Sequence, residues 1–158
     1  MVDPGNDGAQ GAGAPFAHPR DARLRVLLVE DDARFADLLE GAIVAVGLEP
    51  LVVGAIDDDF AIVTRRHAPA AVVVDLFLPT ADALRLGRWI GGLCQVPVVV
   101  VVPGSTSPAI PEAVTERLRV VRRPVAPDVL AQTLAQIVRM RRWRLQRDRE
   151  DEPDVRTA

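Results

Sequence analysis

The chain has 158 residues, enough for about one domain at ~150 residues each. Its nineteen basic side chains are all arginine, set against twenty-two acidic ones, and lysine and tyrosine are both missing. With 49% apolar residues and a net charge of −3, the composition argues against global disorder and against a nucleic-acid binder held by bulk positive charge. The single cysteine, Cys94, allows no internal disulfide and no cysteine-based zinc site, which fits a reducing, cytoplasmic setting. No basic and apolar leader opens the chain, and the longest apolar run, Val96 to Pro103, is far short of the ~20 residues of a membrane span. Neither secretion nor membrane insertion is expected.

Residues 1–22 are rich in glycine and proline with almost nothing to bury, and read as a flexible leader. From Leu24 the character changes. Apolar, β-branched runs at Val26–Val29, Leu51–Val53, Ala71–Val74, Val96–Val102 and Val120–Val121 alternate with stretches of helical spacing. Unalternated runs suit strands covered on both faces, and strand–helix alternation is the sequence form of a parallel α/β sheet. The spacing predicts a first helix over Ala33–Val46, capped by Asp32, ended by Gly47 and burying Phe35, Leu38, Leu39, Ala42, Ile43 and Val46. A second is predicted near Asp57–His67. A third, near Ala81–Ile90, packs Leu84, Trp89 and Ile90 and ends at a Gly91-Gly92 turn. Pro108 and Pro111 confine a fourth mostly to Glu112–Leu118. The fifth starts at Pro127-Asp128, with Val129, Leu130, Thr133, Leu134, Ile137 and Val138 as its apolar face. Five βα units make one doubly wound domain, in which ligands bind outside the carboxyl ends of the strands.

Two of those ends are acidic. The first strand runs into Glu30-Asp31-Asp32 and the third into Asp75. If these strands are neighbours, Glu30, Asp31 and Asp75 converge at one rim. Like charges in a partly desolvated crevice raise one another's pKa, and Mg²⁺, which takes a few carboxylates with waters and phosphate oxygens, would relieve that cost. The plainer alternative is that Asp31 and Asp32 only cap a helix and Asp75 only ends a strand. A carboxylate beside Mg²⁺ can also act as a nucleophile toward phosphorus.

Val29-Glu30-Asp31-Asp32, Asp75-Leu76-Phe77-Leu78-Pro79 with Asp82 seven beyond the aspartate, and Arg123-Pro124 together resemble the receiver domain of two-component response regulators, over roughly residues 24–139. The resemblance implies a flavodoxin-like (βα)5 fold with a five-stranded parallel sheet of order 2-1-3-4-5, by analogy with chemotaxis receivers. It implies Asp75 as phosphoacceptor, Glu30 and Asp31 as the acidic pair with Asp31 the direct Mg²⁺ ligand, Phe77 offering its backbone carbonyl to the metal, and Pro79 shaping the loop. Four positions depart from the family's pattern. Val102 stands where a Thr or Ser hydroxyl would donate to the phosphoryl group, a bond worth ~1.5 to 3 kcal/mol, with Ser105 and Thr106 as the loop residues that could substitute. Arg123 stands for the family's lysine; it keeps the charge and can fork onto phosphate, but is longer and planar. Val120 occupies the aromatic switch position. Ala83 stands where glycine is common, a strain if that residue needs φ > 0. A ligand shifts a two-state equilibrium only by its differential interaction with the two states, so ordinary phosphorylation-driven switching does not follow.

Arg139, Arg141, Arg142, Arg144, Arg147 and Arg149 crowd the end of the fifth helix around Trp143, followed by Glu150, Asp151, Glu152 and Asp154. The i,i+4 pairs Arg144–Asp148 and Arg147–Asp151 favour a solvated, self-neutralised helix end over a grip on nucleic acid, with Trp143 a candidate contact surface. His67 and His18 have no metal-ligand company. The expected organisation is a leader over 1–22, a receiver-like domain over 23–139, and a helix extension with charged tail over 140–158. The expected function is a stand-alone receiver in phosphorelay signal transduction, because fewer than twenty residues after the fifth helix leave no room for a helix-turn-helix output domain. It would take phosphoryl on Asp75 with Mg²⁺ from a histidine kinase or phosphotransfer protein, catalysing at most its own phosphorylation and dephosphorylation. Its downstream protein is not identifiable, nucleic acid and membrane are not expected partners, and a homodimer through the last helices is a further expectation. The alternative is a phosphorylation-independent pseudo-receiver, a protein-interaction module. An aspartyl-phosphate phosphatase ranks last, since Phe77 stands where its second aspartate would be.

Overall fold

The computed structural model describes residues 24–104 and 117–150. The predicted leader, Ser105 and Thr106, most of the predicted Glu112–Leu118 helix and the acids Asp151, Glu152 and Asp154 lie outside the described residues. The elements run β1 (Arg25–Glu30), α1 (Ala33–Ala45), β2 (Glu49–Val53), α2 (Phe60–His67), β3 (Ala71–Asp75), α3 (Thr80–Cys94), β4 (Val98–Val102), β5 (Leu118–Arg122) and α4 (Pro127–Glu150). The five strands form one sheet of order β2-β1-β3-β4-β5, parallel at every pairing. This is the doubly wound, flavodoxin-like arrangement that the alternating pattern and the receiver resemblance imply.

The all-valine strand β4 and the runs of β1 and β3 are buried along nearly their whole length, because side chains alternate between two covered faces. On one face Leu28, Val73 and Val101 meet Leu39 and Ile43 of α1 and Leu130, Leu134 and Val138 of α4. On the other, Leu27, Val72 and Val100 meet Phe60 of α2 and Leu84 and Ile90 of α3. The helices therefore fix the sheet from both sides.

Local chemistry explains most boundaries and several differences from the sequence expectations. Asp32 caps α1, its side chain accepting from the amides of Arg34 at 2.9 Å and Phe35 at 3.3 Å, and Gly47 past the helix end takes φ +83°, as a C-terminal glycine does. Leu38, expected in the core, is 64% exposed, because Ala36, Leu39 and Ile43 define the buried stripe. α2 begins at Phe60 and not at Asp57: the Asp57 carboxylate accepts from the Asp59 amide and its carbonyl from the Phe60 amide, a local turn that competes with helix. α3 runs through Gly91-Gly92 to Cys94, so that pair is helical and not a turn. Gly91 lies against β4, where an added Cβ would sit 3.5 Å from a Val98 methyl; packing on the sheet overrides the pair's weak propensity. Ala83 is a buried residue inside this helix, so the strain expected of a positive φ does not arise. Trp89, expected to pack, is half exposed with its ring 6.1 Å from that of Phe60. In α4 the buried face is Leu130, Ala131, Leu134, Ala135 and Val138; Val129, assigned to that face from sequence, points outward.

Candidate functional site

β1 and β3 are neighbours, and Glu30 is the register partner of Asp75. Parallel strands lie about 4.8 Å apart, and register partners project to the same face, so two carboxylates share one sheet end. Both are buried, Asp75 completely. One Glu30 oxygen accepts from the Asp32 amide at 2.8 Å, and one Asp75 oxygen accepts from the Arg123 guanidinium. Among the described residues the remaining oxygen of each, Oε2 of Glu30 and Oδ2 of Asp75, is buried without a hydrogen-bond partner. Burial pushes Glu30 up to about 7, against the pull of the Asp32 amide, with the charge of Asp75 adding to the rise. Burial also raises Asp75, opposed by the charge and hydrogen bond of Arg123 beside it and by interaction with the Glu30 carboxyl. Asp31 is exposed, yet its charge raises both groups.

Arg123 follows β5 directly, its amide donating to the Val102 carbonyl at 2.9 Å, so the end of the β4–β5 pairing carries its side chain to the end of β3. The guanidinium lies 4.0 Å from the ring centre of Phe77 and 5.9 Å from that of Phe35, a geometry that favours a cation over an aromatic face. Phe77 is exposed, so its ring covers the guanidinium that covers Asp75. Gly104 lets the loop pass, since a Cβ there would overlap the Arg123 carbonyl oxygen. A cleft of about 570 Å³, lined by Gly104, Arg123, Pro124 and Val125, opens beside the guanidinium.

The fold thus brings Glu30, Asp75 and Arg123 together, with Asp31 at the solvent side. Val102, fully buried at the end of β4, packs among the side chains facing α2 and α3, and Val120 packs half-buried against the same cluster; neither side chain offers a hydrogen-bond donor. Sequence reasoning assigned Phe77 only a backbone role and gave Phe35 none. The signal for both is scarcity: the chain has four phenylalanines, and two of them flank one arginine. Among the described residues no cluster of three or more His, Cys, Asp or Glu forms a ready cage for a metal. The two partnerless carboxylate oxygens are nonetheless hard donors of the kind Mg²⁺ takes, alongside waters that complete its shell.

No family model and no curated protein matches the chain. Its architecture is similar to solved structures. A response regulator from Thermotoga maritima superposes with a TM-score of 0.61 at 19% identity, over 75% of this chain and 99% of that one. A response regulator receiver domain protein from Clostridium thermocellum does so with 0.61 at 15% identity, over 76% and 98%. A transiently phosphorylated switch of bacterial signal transduction gives 0.58 at 18%, over 76% and 98%. The strand order, the two-sided core and these superpositions together make the fold that of a response-regulator receiver domain.

Proposed function

We propose that this domain is a signalling receiver and that Asp75 is its phosphoacceptor. The observation that carries the reading is the buried Oδ2 of Asp75 at the carboxyl end of the central strand, next to Oε2 of Glu30, neither of which has a hydrogen-bond partner among the described residues. In phosphoryl transfer, Asp75 attacks phosphorus of a phosphohistidine on a kinase or phosphotransfer protein. The P–O bond forms as the P–N bond breaks, and the imidazole leaves with the electron pair. Arg123 shifts from the carboxylate to the incoming phosphoryl oxygens, which its planar fork suits. Glu30, Asp31 and Asp75, with the backbone carbonyl of Phe77, would hold Mg²⁺, whose chemistry here is to neutralise charge on the donor phosphate. Beyond gaining and losing its own phosphoryl group, the domain catalyses nothing in this reading.

A second reading has its own observation. Asp75 is wholly enclosed, sealed by Arg123 under Phe77, and an arginine that neutralises the acceptor can stand in for both metal and phosphate. On that reading the domain is a pseudo-receiver that binds a protein partner without being phosphorylated. Incubation with Mg²⁺ and a small acyl phosphate, followed by intact mass, separates the two. Gain of one phosphoryl group that is lost in Asp75→Asn supports the receiver; no gain under conditions that modify a working receiver leaves the pseudo-receiver. Steady turnover of a phosphomonoester would overturn both.

A further inference from the structure

The end of the sheet opposite Asp75 carries a second concavity, of about 730 Å³, within the range of small-molecule sites. α4 builds one wall. Its buried stripe ends at Val138, and the helix continues twelve residues to Glu150, about 18 Å at the α-helical rise. The continuation of that stripe is Arg141, Arg142, Leu145 and Arg149, all facing the cavity. Arg141 ties the overhang to the body by donating to the carbonyls of Ala70 at 3.2 Å and Gln95 at 2.9 Å. The opposite wall is the carboxyl end of α2, with Arg65, and that of α3, with Leu93 and Cys94. Val96 and Val138, both nearly inaccessible, form part of an apolar floor.

The charge in this cavity is one-sided. Among the described residues four arginines line it and no carboxylate does, in a chain whose net charge is −3. Among the described residues Arg65, Arg141, Arg142 and Arg149 form no ion pair. An arginine row on a helix is ordinarily a solvated face, but here it continues the stripe that packs against the body and meets a concave apolar floor. Guanidinium groups above such a floor complement an anionic head on an apolar body.

We propose that this groove binds an anionic amphiphile, a carboxylate or phosphate head on a slender apolar chain, with Arg142 and Arg149 on the head and Leu93, Val96 and Leu145 along the chain. The proposal is independent of phosphorylation at Asp75. Cys94, the only cysteine of the chain, lines the groove and reports on it. In the full-length protein, decanoate or decyl phosphate below micelle-forming concentration slows alkylation of Cys94 by N-ethylmaleimide, about tenfold at ten times the dissociation constant. Decanol and inorganic phosphate, each carrying half of the required chemistry, protect far less. The double variant Arg142→Gln/Arg149→Gln, altered only at exposed positions, binds the two amphiphiles roughly tenfold or more weakly. Equal protection in that variant, equal protection by decanol, or equal protection by a hexaglutamate peptide would overturn the proposal, as would protection by phosphatidate vesicles alone. Calorimetric titration with decanoate and decyl phosphate reads the same site without relying on thiol reactivity, and lack of saturable one-to-one binding by both also overturns it.

Discussion

Glu30 and Asp75 share a sheet end in which, among the described residues, each has one oxygen without a partner and the Arg123 guanidinium pairs with Asp75. Removing one member of a buried ion pair leaves the other charge unpaired, at a cost of several kcal/mol. Arg123→Ala therefore lowers stability at pH 7 by roughly 3 kcal/mol in urea unfolding, and by clearly less in an Asp75→Asn background; equal losses in the two backgrounds would show that the pair is not coupled. Glu30 predicts a pH dependence. Its pKa is raised from 4.5 to about 7 in the folded protein, so between those values the native state binds more protons than the unfolded chain. Stability then falls as pH rises from 4.5 through about 7, by up to roughly 3 kcal/mol, and levels off above. Asp75, also raised, acts in the same direction. Glu30→Gln keeps an acceptor for the Asp32 amide and flattens this slope in melting curves taken across that range; an unchanged slope would place the titration elsewhere.

At the scale of elements, the sequence conveyed type better than extent. Apolar runs between helical stretches placed all five strands, and the valine-rich runs of β1, β3 and β4 lie under two-sided cover. Helix ends were harder to read. Asp57 draws the chain into a turn before α2, whereas Gly91-Gly92, which weakens a helix in isolation, lies inside α3. Gly87 gives this a measurable form. Alanine is ordinarily better than glycine in a helix by about 1 kcal/mol. Here the added Cβ would overlap a Val100 methyl and lie 2.7 Å from a Leu118 methyl. Overpacking of that kind costs about 1 to 3 kcal/mol, so Gly87→Ala lowers the unfolding midpoint; a rise would mean that α3 shifts off the sheet without penalty.

Across the whole molecule, burial grades from the sheet centre outward. β1, β3 and β4 are enclosed on both faces, β2 is half-buried throughout, and β5 is partly exposed. Past Val138, the described residues of α4 carry no buried side chain. Local opening costs little where few apolar contacts are lost. In native-state hydrogen exchange the amides of β3 and β4 therefore exchange only through global unfolding, while those of α4 from Met140 onward exchange by local fraying. Protection of that segment equal to that of β3 would mean that its overhang is held by more than Arg141.

Composition and periodicity alone determined the parallel α/β class, the five strands and the acidic strand ends at Glu30 and Asp75, because those features depend on local pattern and on the parity of side chains along a strand. The family resemblance added the strand order and singled out Arg123 as standing where the family has lysine. Only the tertiary structure decided that Arg123 closes over Asp75 with Phe77 stacked upon it, since residues 48 positions apart meet through sheet order and not through spacing. It also decided that Arg141, Arg142 and Arg149 of the row beyond Val138 line a concavity. The rest of that row, Arg139, Arg144 and Arg147, is exposed; whether a helical stripe meets solvent or a wall depends on where the neighbouring helices stop.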